Sequence, residues 1–355
     1  MAEKSVAAVA TPAATGSSAT DAEEPVRRPW YGSIQVVLHS HPWLGPFFVL
    51  VISAIVFETI NPRFLDLFNI SIMLQQVVVI GLLALGQTLI MLTAGIDLSC
   101  GVLMILAQMI IGGLAISAGV PTVLALLLGG GVGALAGLVN GMLVSRLHLP
   151  PFIVTLGTLG AFGSIGLIYA KGQSFIPPPT AAPSNSLLLW TALPIKLGQF
   201  QITVGVVIML VLYLIVGYIL SRTAWGRHVY SVGDDPEASR LVGVRTTQLL
   251  LSVYVAAGVI YALAGWLQIG RTGQATTNVS SSLNLDSITA VVIGGVSLFG
   301  GRGLVSGTLI GVLIVEVFQD GLNLAGVHLY YQGLAEGLLI VAAVALDQWI
   351  RRVRA

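Results

Sequence analysis

The sequence predicts an all-α polytopic membrane protein with about ten transmembrane helices, at least one of them short or broken, and a faint internal two-fold repeat. Composition gives the class: mean hydropathy is +0.93, and 55% of residues are hydrophobic while 9% are charged, against about 25% charged in an ordinary soluble domain. Multiple crossing follows from Leu98 to Ser145, 48 residues without Asp, Glu, Lys, Arg or His. As helix that run is about 72 Å long, more than twice a hydrocarbon core of about 30 Å. It crosses twice, with the break at Ser117-Ala-Gly-Val-Pro121, where Gly and Pro punctuate. The third observation is an asymmetry of positive charge, which appears once the spans are laid out.

Residues 1–29 are Ala, Ser, Thr, Pro and Glu with almost no large apolar groups, too few to offset the entropy of ordering, so a disordered cytoplasmic tail is expected. Asp21, Glu23 and Glu24 precede the first apolar run, which argues against a signal peptide. The membrane body runs over 43–346. Its apolar spans lie at Trp43–Ile60, Ile70–Thr93, Ile96–Ile116, Thr122–Leu143, Phe152–Ala170, Thr203–Leu220, Leu249–Ile269, Leu304–Asp320 and Leu329–Leu346. A tenth, Ile288–Gly301, has 14 residues, short of the roughly 20 a simple crossing needs. It reads as a broken or re-entrant helix, or as one extended by the polar stretch before it, tolerated where protein or a water-filled cavity surrounds it.

With ten crossings and the N-terminus inside, Lys4, Arg27, Arg28, Arg146, Arg222, Arg227, Arg240, Arg245, Arg302, Arg351, Arg352 and Arg354 fall on the cytoplasmic side, and Arg63, Lys171, Lys196 and Arg271 outside. That is the positive-inside bias. It places the short C-terminal tail, 347–355, in the cytoplasm, together with the one long polar interruption, 221–248. The outer loop Lys171–Gln201 carries five prolines and is expected to be a stiff extended connector, or a surface for an external partner.

The interruption at 221–248 holds seven charged side chains, Arg222, Arg227, Asp234, Asp235, Glu237, Arg240 and Arg245, and must lie in water. Asp234-Asp235-Pro236-Glu237-Ala238 reads as a helix start, with carboxylates at the helix N-terminus, Pro in the first turn and Gly243 as the stop. Ala238, Leu241 and Val242 share one side of that short helix. It is either a solvated connector or a knob for a groove in a soluble partner.

Within the membrane, Asp97 separates two uncharged runs and reads as an N-cap for the next span or as a gating group. Glu316 and Glu336 lie inside apolar spans, where acids are costly and mark functional sites by default. Asn140, Thr155, Gln75, Gln76, Gln87 and Gln108 suit interhelical hydrogen bonds better than contacts with a polar solute. The glycines at Gly129–Gly131, Gly133 and Gly137 allow helices to approach closely. An echo links Gly95-Ile-Asp-Leu-Ser-Cys-Gly101 with Gly295-Val-Ser-Leu-Phe-Gly-Gly301, and Gly141–Leu149 with Gly321–Leu329; transporters are often built from such repeats.

Other chemistries have no footing. The sequence holds no GxxxxGK[ST], HExxH or GxSxG motif, so no nucleotide phosphate is cradled in the P-loop manner and a hydrolase or metal site is not expected. One cysteine, Cys100, forbids an internal disulfide. A net charge of +1 supplies no basic patch for nucleic acid.

Four stretches in one order carry a resemblance: Leu92-Thr-Ala-Gly-Ile-Asp-Leu-Ser99; Asn140-Gly141 followed by Leu149-Pro-Pro-Phe-Ile-Val-Thr155-Leu-Gly157; Gly226-Arg-His-Val-Tyr-Ser-Val-Gly-Asp-Asp-Pro-Glu-Ala238; and Ile288 through Gly303. Together they resemble the permeases of bacterial ABC importers for monosaccharides, the ribose and xylose permease family, from about Trp43 to the C-terminus. Arg222-Thr-Ala-Trp-Gly-Arg227, Val232–Glu237 and Asp347-Gln-Trp-Ile-Arg351 are most similar to the fructose-importing members. The resemblance implies an inner-membrane subunit paired with a second copy. It also implies a cytoplasmic ATP-binding subunit that holds the ATP, no cofactor in this chain, and a periplasmic sugar-binding protein.

ABC permeases dock on their ATPase through a Glu-Ala-Ala, three residues, Gly pattern. Here it stands as Glu237-Ala238-Ser239 and Gly243, so Gly226, Arg227, Asp234, Asp235, Pro236, Glu237, Ala238, Arg240 and Gly243 are the expected coupling residues. Asp97, Ser99, Asn140, Thr155 and Glu316 are the expected pathway or gating residues. Two readings stand beside this one: an ABC permease for a nucleoside or another small polar solute, and a proton-coupled secondary transporter using Asp97, Glu316 or Glu336.

Overall fold

In the computed structural model the described residues are 43–181, 186–278, 282–328, 330–335, 337, 338 and 341, all within one compact unit, His41–Ala355. The tails at 1–29 and 347–355 and half of Leu329–Leu346, Glu336 included, lie outside them. Helices α1 Leu44–Ile60, α2 Leu67–Leu92, α3 Cys100–Gly112, α4 Thr122–Ser145, α5 Pro151–Ala170 and α6 Val204–Arg222 follow in order, α3 running on as a π-turn to Ser117. The charged segment holds α7 Ala224–Asp234 and α8 Pro236–Leu241, and then come α9 Thr246–Thr272, α10 Leu283–Ile293 and α11 Val305–Leu324. Seven of these helices, with the π-turn counted into α3, are long and apolar enough to cross a bilayer; α1 and α10 are apolar but shorter.

The centre is α2. Every residue from Val77 to Leu92 is buried, as expected of a helix apolar all round, and α3, α6, α9, α10 and α11 surround it. The outer helices are buried on one side only: Ile52 on α1, Leu127 on α4, Ile168 on α5 and Leu214 on α6 are each at least 60% exposed, the faces lipid would cover. Between α4 and α9 the packing is backbone on backbone. A Cβ on Gly133 would meet the Gly258 carbonyl, and one on Gly137 the Tyr254 carbonyl, so the close approach read from the α4 glycines is real.

The loop expected to be a proline-stiffened connector contains a β-hairpin. Strand β1, Pro194–Leu197, pairs antiparallel with β2, Phe200–Thr203, turning at Gly198 with φ 69°. The Gln201 N–H donates to Ser71 Oγ at 2.9 Å and pins the hairpin to the start of α2. This end of the bundle is the hairpin end, and the one bearing α7 and α8 the charged end.

The short tenth span is corrected in its bounds. Its helix starts at Leu283, within the polar stretch, and stops at Ile293 rather than reaching Gly301. It stops because Gly295, Gly300, Gly301 and Gly303 all take positive φ, closed to helix. Before it, the chain travels along α3 without helix at its start: Ala275 bridges Phe175, Gln108 Nε2 donates to the Thr276 carbonyl at 3.1 Å, and the Gly101 N–H donates to Asn284 Oδ1 at 2.7 Å. From Gln108 to Gly101 is about 10 Å along a helix. The crossing is therefore broken, with α10 beginning inside the bundle, where protein groups satisfy its backbone.

Candidate pathway lock and coupling segment

Four of the five expected pathway residues meet on the turn between α2 and α3. Asp97 is 1% exposed, and Ser99, Asn140 and Thr155 are 0%. Ala94, at φ 60°, ends α2, and the Gly95 N–H closes back on the Ile90 carbonyl at 3.1 Å. Asp97 Oδ1 then accepts both the Ser99 N–H, at 2.7 Å, and the Ser99 hydroxyl, at 2.6 Å. The N-cap of α3 is Ser99 and not Asp97; the carboxylate braces the turn two residues ahead of it. Neighbouring helices fasten that turn. From α4, Asn140 Nδ2 donates to Ser99 Oγ at 2.9 Å, and from α5 the Thr155 hydroxyl donates to the Ile96 carbonyl at 3.0 Å. From α2, the Gln87 amide pairs with both backbone groups of Asp97 at 3.1 Å each. Four helices are thus locked through one buried turn.

Glu316 does not join them. It is 2% exposed on α11, and its electrostatic neighbours are Asp320, Arg271 and Asp286, nearer the hairpin end. Asp320 there accepts from Asn69 Nδ2 at 2.7 Å.

The first pair of the echo shares a turn in the structure, although its positive-φ residues, Ala94 and Gly295, stand one residue out of the sequence register that aligns Gly95 with Gly295. Gly295, at φ 85°, ends α10 as Ala94 ends α2, and the Val296 N–H returns to the Val291 carbonyl at 3.2 Å. Ser297 Oγ accepts the Phe299 N–H at 3.0 Å, the counterpart of Asp97 with Ser99. The second pair shares no such setting: Gly141 packs on Tyr254 and Leu251, and Gly321 on the Phe57 ring.

At the charged end the expected single helix is two. α8 forms as the residues dictate: Asp235 Oδ1 accepts the N–H groups of Glu237 and Ala238, both at 2.9 Å, Pro236 opens the helix, and Gly243 stops it at φ 91°. Ser239, where the family pattern has Ala, is buried and shares a 2.6 Å hydrogen bond with Ser231 that folds α8 onto α7. Arg227, Asp234, Glu237, Ala238 and Arg240 are exposed, and Leu241 and Val242 are 80% and 79% exposed.

The preceding helix, α7, was not read from the sequence, because its apolar residues Trp225, Val229 and Val232 stand among charges. Their helical spacing was the available signal. It is anchored at both ends. Gly226 leaves no room for a Cβ beside the Leu220 backbone, and its N–H donates to Thr223 Oγ1 at 3.2 Å. Trp225 Nε1 donates to Ser252 Oγ at 2.8 Å. Farther along, the Tyr230 hydroxyl donates to the Gly303 carbonyl at 3.0 Å; burial pushes its pKa above the usual phenol value, which keeps it a donor. Among the described residues no group of three His, Cys, Asp or Glu is placed to hold a metal ion.

A family model described as "Branched-chain amino acid transport system / permease component" matches residues 69–344. The chain belongs to this permease family. The permease is 46% identical over 323 residues to a fructose import permease protein of Rhizobium meliloti, covering 91% of this chain and 89% of that protein. It is 39% identical over 305 residues to a ribose import permease protein of Bacillus subtilis (86% and 92% covered). To a galactose/methyl galactoside import permease protein of Haemophilus influenzae it is 34% identical over 314 residues (85% and 92%). No solved structure matches it. It is a multi-pass membrane protein whose role is transport and not covalent chemistry.

Proposed function

We propose that this permease is the membrane-spanning subunit of an ATP-driven importer that carries a monosaccharide, fructose-like or ribose-like, across the bacterial inner membrane. One observation supports the mechanism above the others: the charged segment is a folded lever. Its base, α7, is anchored in the bundle, while its tip, α8 with Leu241 and Val242, projects apolar side chains into water. A tip of that kind suits a groove on a second chain. In this reading the segment and both termini are cytoplasmic, and the ATP is bound by a separate ATP-binding subunit, with no cofactor in this chain. Gly226, Arg227, Asp234, Asp235, Pro236, Glu237, Ala238, Arg240 and Gly243 form the coupling surface. A second copy completes the pathway, and a periplasmic sugar-binding protein delivers the cargo at the hairpin end.

The cargo follows from the relatives, which carry fructose, ribose or galactose in their names. Asp97, Ser99, Asn140 and Thr155 act in this reading as the lock that holds the pathway shut, and ATP binding on the partner chain releases it. Asn140 Oδ1 and the Tyr254 hydroxyl, both buried, have no hydrogen-bond partner among the described residues, which favours a hydroxyl-rich solute once the lock opens. Glu316 sits apart, by Arg271.

The test is uptake of labelled fructose, ribose, xylose and a nucleoside into vesicles, with and without the ATP-binding chain, varying ATP and an uncoupler independently. Uptake is expected to need the partner and ATP and to ignore the uncoupler. Uptake by the permease alone, abolished by the uncoupler, would sink the proposal and move the mechanism to Asp97 or Glu316.

A further inference from the structure

Gly233, one residue from the end of α7, stands where three backbones converge. A Cβ there would collide with the carbonyl oxygen of Leu92, the last residue of α2, and lie 2.6 Å from the Gly301 nitrogen. The same Leu92 carbonyl accepts the Gly301 N–H at 3.0 Å. Beside it, Gly300 at φ 82° would place a Cβ 2.8 Å from the Ala94 nitrogen, and Gly301 at φ 70° would place one 2.8 Å from the Asp234 Cα. The two echo turns, 94–99 and 295–303, therefore touch each other and the end of α7 at one point, with backbone against backbone and only the Ala94 and Asp234 Cβ atoms beside it.

Contacts made through long side chains can absorb a shift by changing rotamer. Backbone packed directly on backbone has no such slack, and close-packed interiors transmit displacement. One of the joined turns carries Asp97 and Ser99, the lock of four helices. The other connects α10, the broken crossing, to α11.

The geometry points to Gly233 as the positioning residue of a rigid joint, through which a displacement of the coupling segment reaches both echo turns at once. This rests on the reading of 221–248 as the segment an ATP-binding chain moves.

The test uses vesicles holding the complete importer: permease, ATP-binding chain and sugar-binding protein. Gly233→Ala is expected to lower sugar uptake roughly 2- to 30-fold, while membrane level, co-purification of the ATP-binding chain and ATP hydrolysis remain as in the wild type. Undiminished uptake, or loss of capture and ATP hydrolysis at wild-type membrane level, overturns the joint. Gly273→Ala is the control for backbone strain, since Gly273 has φ 72° but open space around it; its uptake is expected to persist.

Should Gly233→Ala fail to accumulate, nitroxides at His228→Cys on α7 and Phe299→Cys on the second turn, with Gly233 intact, decide the matter. Their separation is expected to stay constant between nucleotide-free and ATP-bound states, and a change above about 5 Å overturns the joint. Wild-type uptake that persists without the ATP-binding chain is a different failure: it removes the coupling reading itself.

Discussion

Asn284 Oδ1 accepts the backbone N–H of Gly101 at 2.7 Å, so the first turn of α10 is tied to the first turn of α3 inside the bundle. Both turns are helix beginnings, whose N–H groups have no partner within their own helix, and Gly101 is buried while Asn284 is half-buried. Asn284→Ala leaves the Gly101 donor buried and unmet, at a cost of about 1–3 kcal/mol. The expected outcome is a lower unfolding temperature in detergent, with the broken crossing exchanging amide hydrogens faster. An unchanged unfolding temperature would mean the crossing is held elsewhere.

Asp97 Oδ1 accepts both Ser99 groups, and in the proposed lock it acts as that acceptor rather than as a charge. Asp97→Asn keeps an acceptor oxygen in place, so sugar uptake is expected to survive. Asp97→Ala removes the brace and should cost about 0.5–2 kcal/mol, as lost caps do, with uptake falling alongside. Uptake assays on variants present at equal membrane level separate the two. Loss of uptake in Asp97→Asn would show that the charge itself is needed, which is what a proton-coupled mechanism requires.

The close crossing of α4 and α9 gives a third expectation. Gly137 has the Tyr254 carbonyl where a Cβ would go, whereas Gly130, on the same helix, has open space around it. Gly137→Ala should therefore lower stability by about 1–3 kcal/mol, the cost of overpacking, while Gly130→Ala should not. Thermal unfolding of the two variants side by side tests this, and equal stability would contradict the crossing.

How much of this was legible in the sequence depends on how local each signal is. Long spans such as α2 and α4 announce themselves, because a helix in lipid must be apolar over its whole length. Asp235, Pro236 and Gly243 bound α8 correctly, since caps and stops act within a few residues. The tenth span was recognised as irregular but misplaced: α10 is stabilised by α3, through Gly101 and Asn284, and no hydropathy window sees a contact 183 residues away. Gly233 was unreadable for the same reason, as its need for hydrogen as a side chain is set by Leu92 and Gly301. Asp97, Ser99, Asn140 and Thr155 were picked separately and proved to be one cluster. Glu316 was chosen on the same ground, a polar group in an apolar span, and lies with Arg271 instead, because composition says that a buried acid needs neighbours but not which ones.

Leu241 and Val242 carry the last prediction. They end a short helix in the most charged part of the chain, yet are 80% and 79% exposed, and Ser239 alone of α8 is buried, against Ser231. Among the described residues nothing covers these two aliphatic side chains, and the proposed ATP-binding chain is the surface that would. Burying both is worth about 1.5–3 kcal/mol apiece, and losing even the lower figure is roughly tenfold in affinity. Leu241→Ser with Val242→Ser is therefore expected to weaken capture of the ATP-binding chain at least about tenfold, with the permease's own unfolding temperature unchanged. Glu237→Ala, which removes an exposed charge from the same helix, should act in the same direction and grow milder as salt is added. Titrating the ATP-binding chain onto detergent-solubilised permease measures both. Full capture by the serine pair, or a drop in permease stability without loss of capture, would move the coupling surface away from the α8 tip.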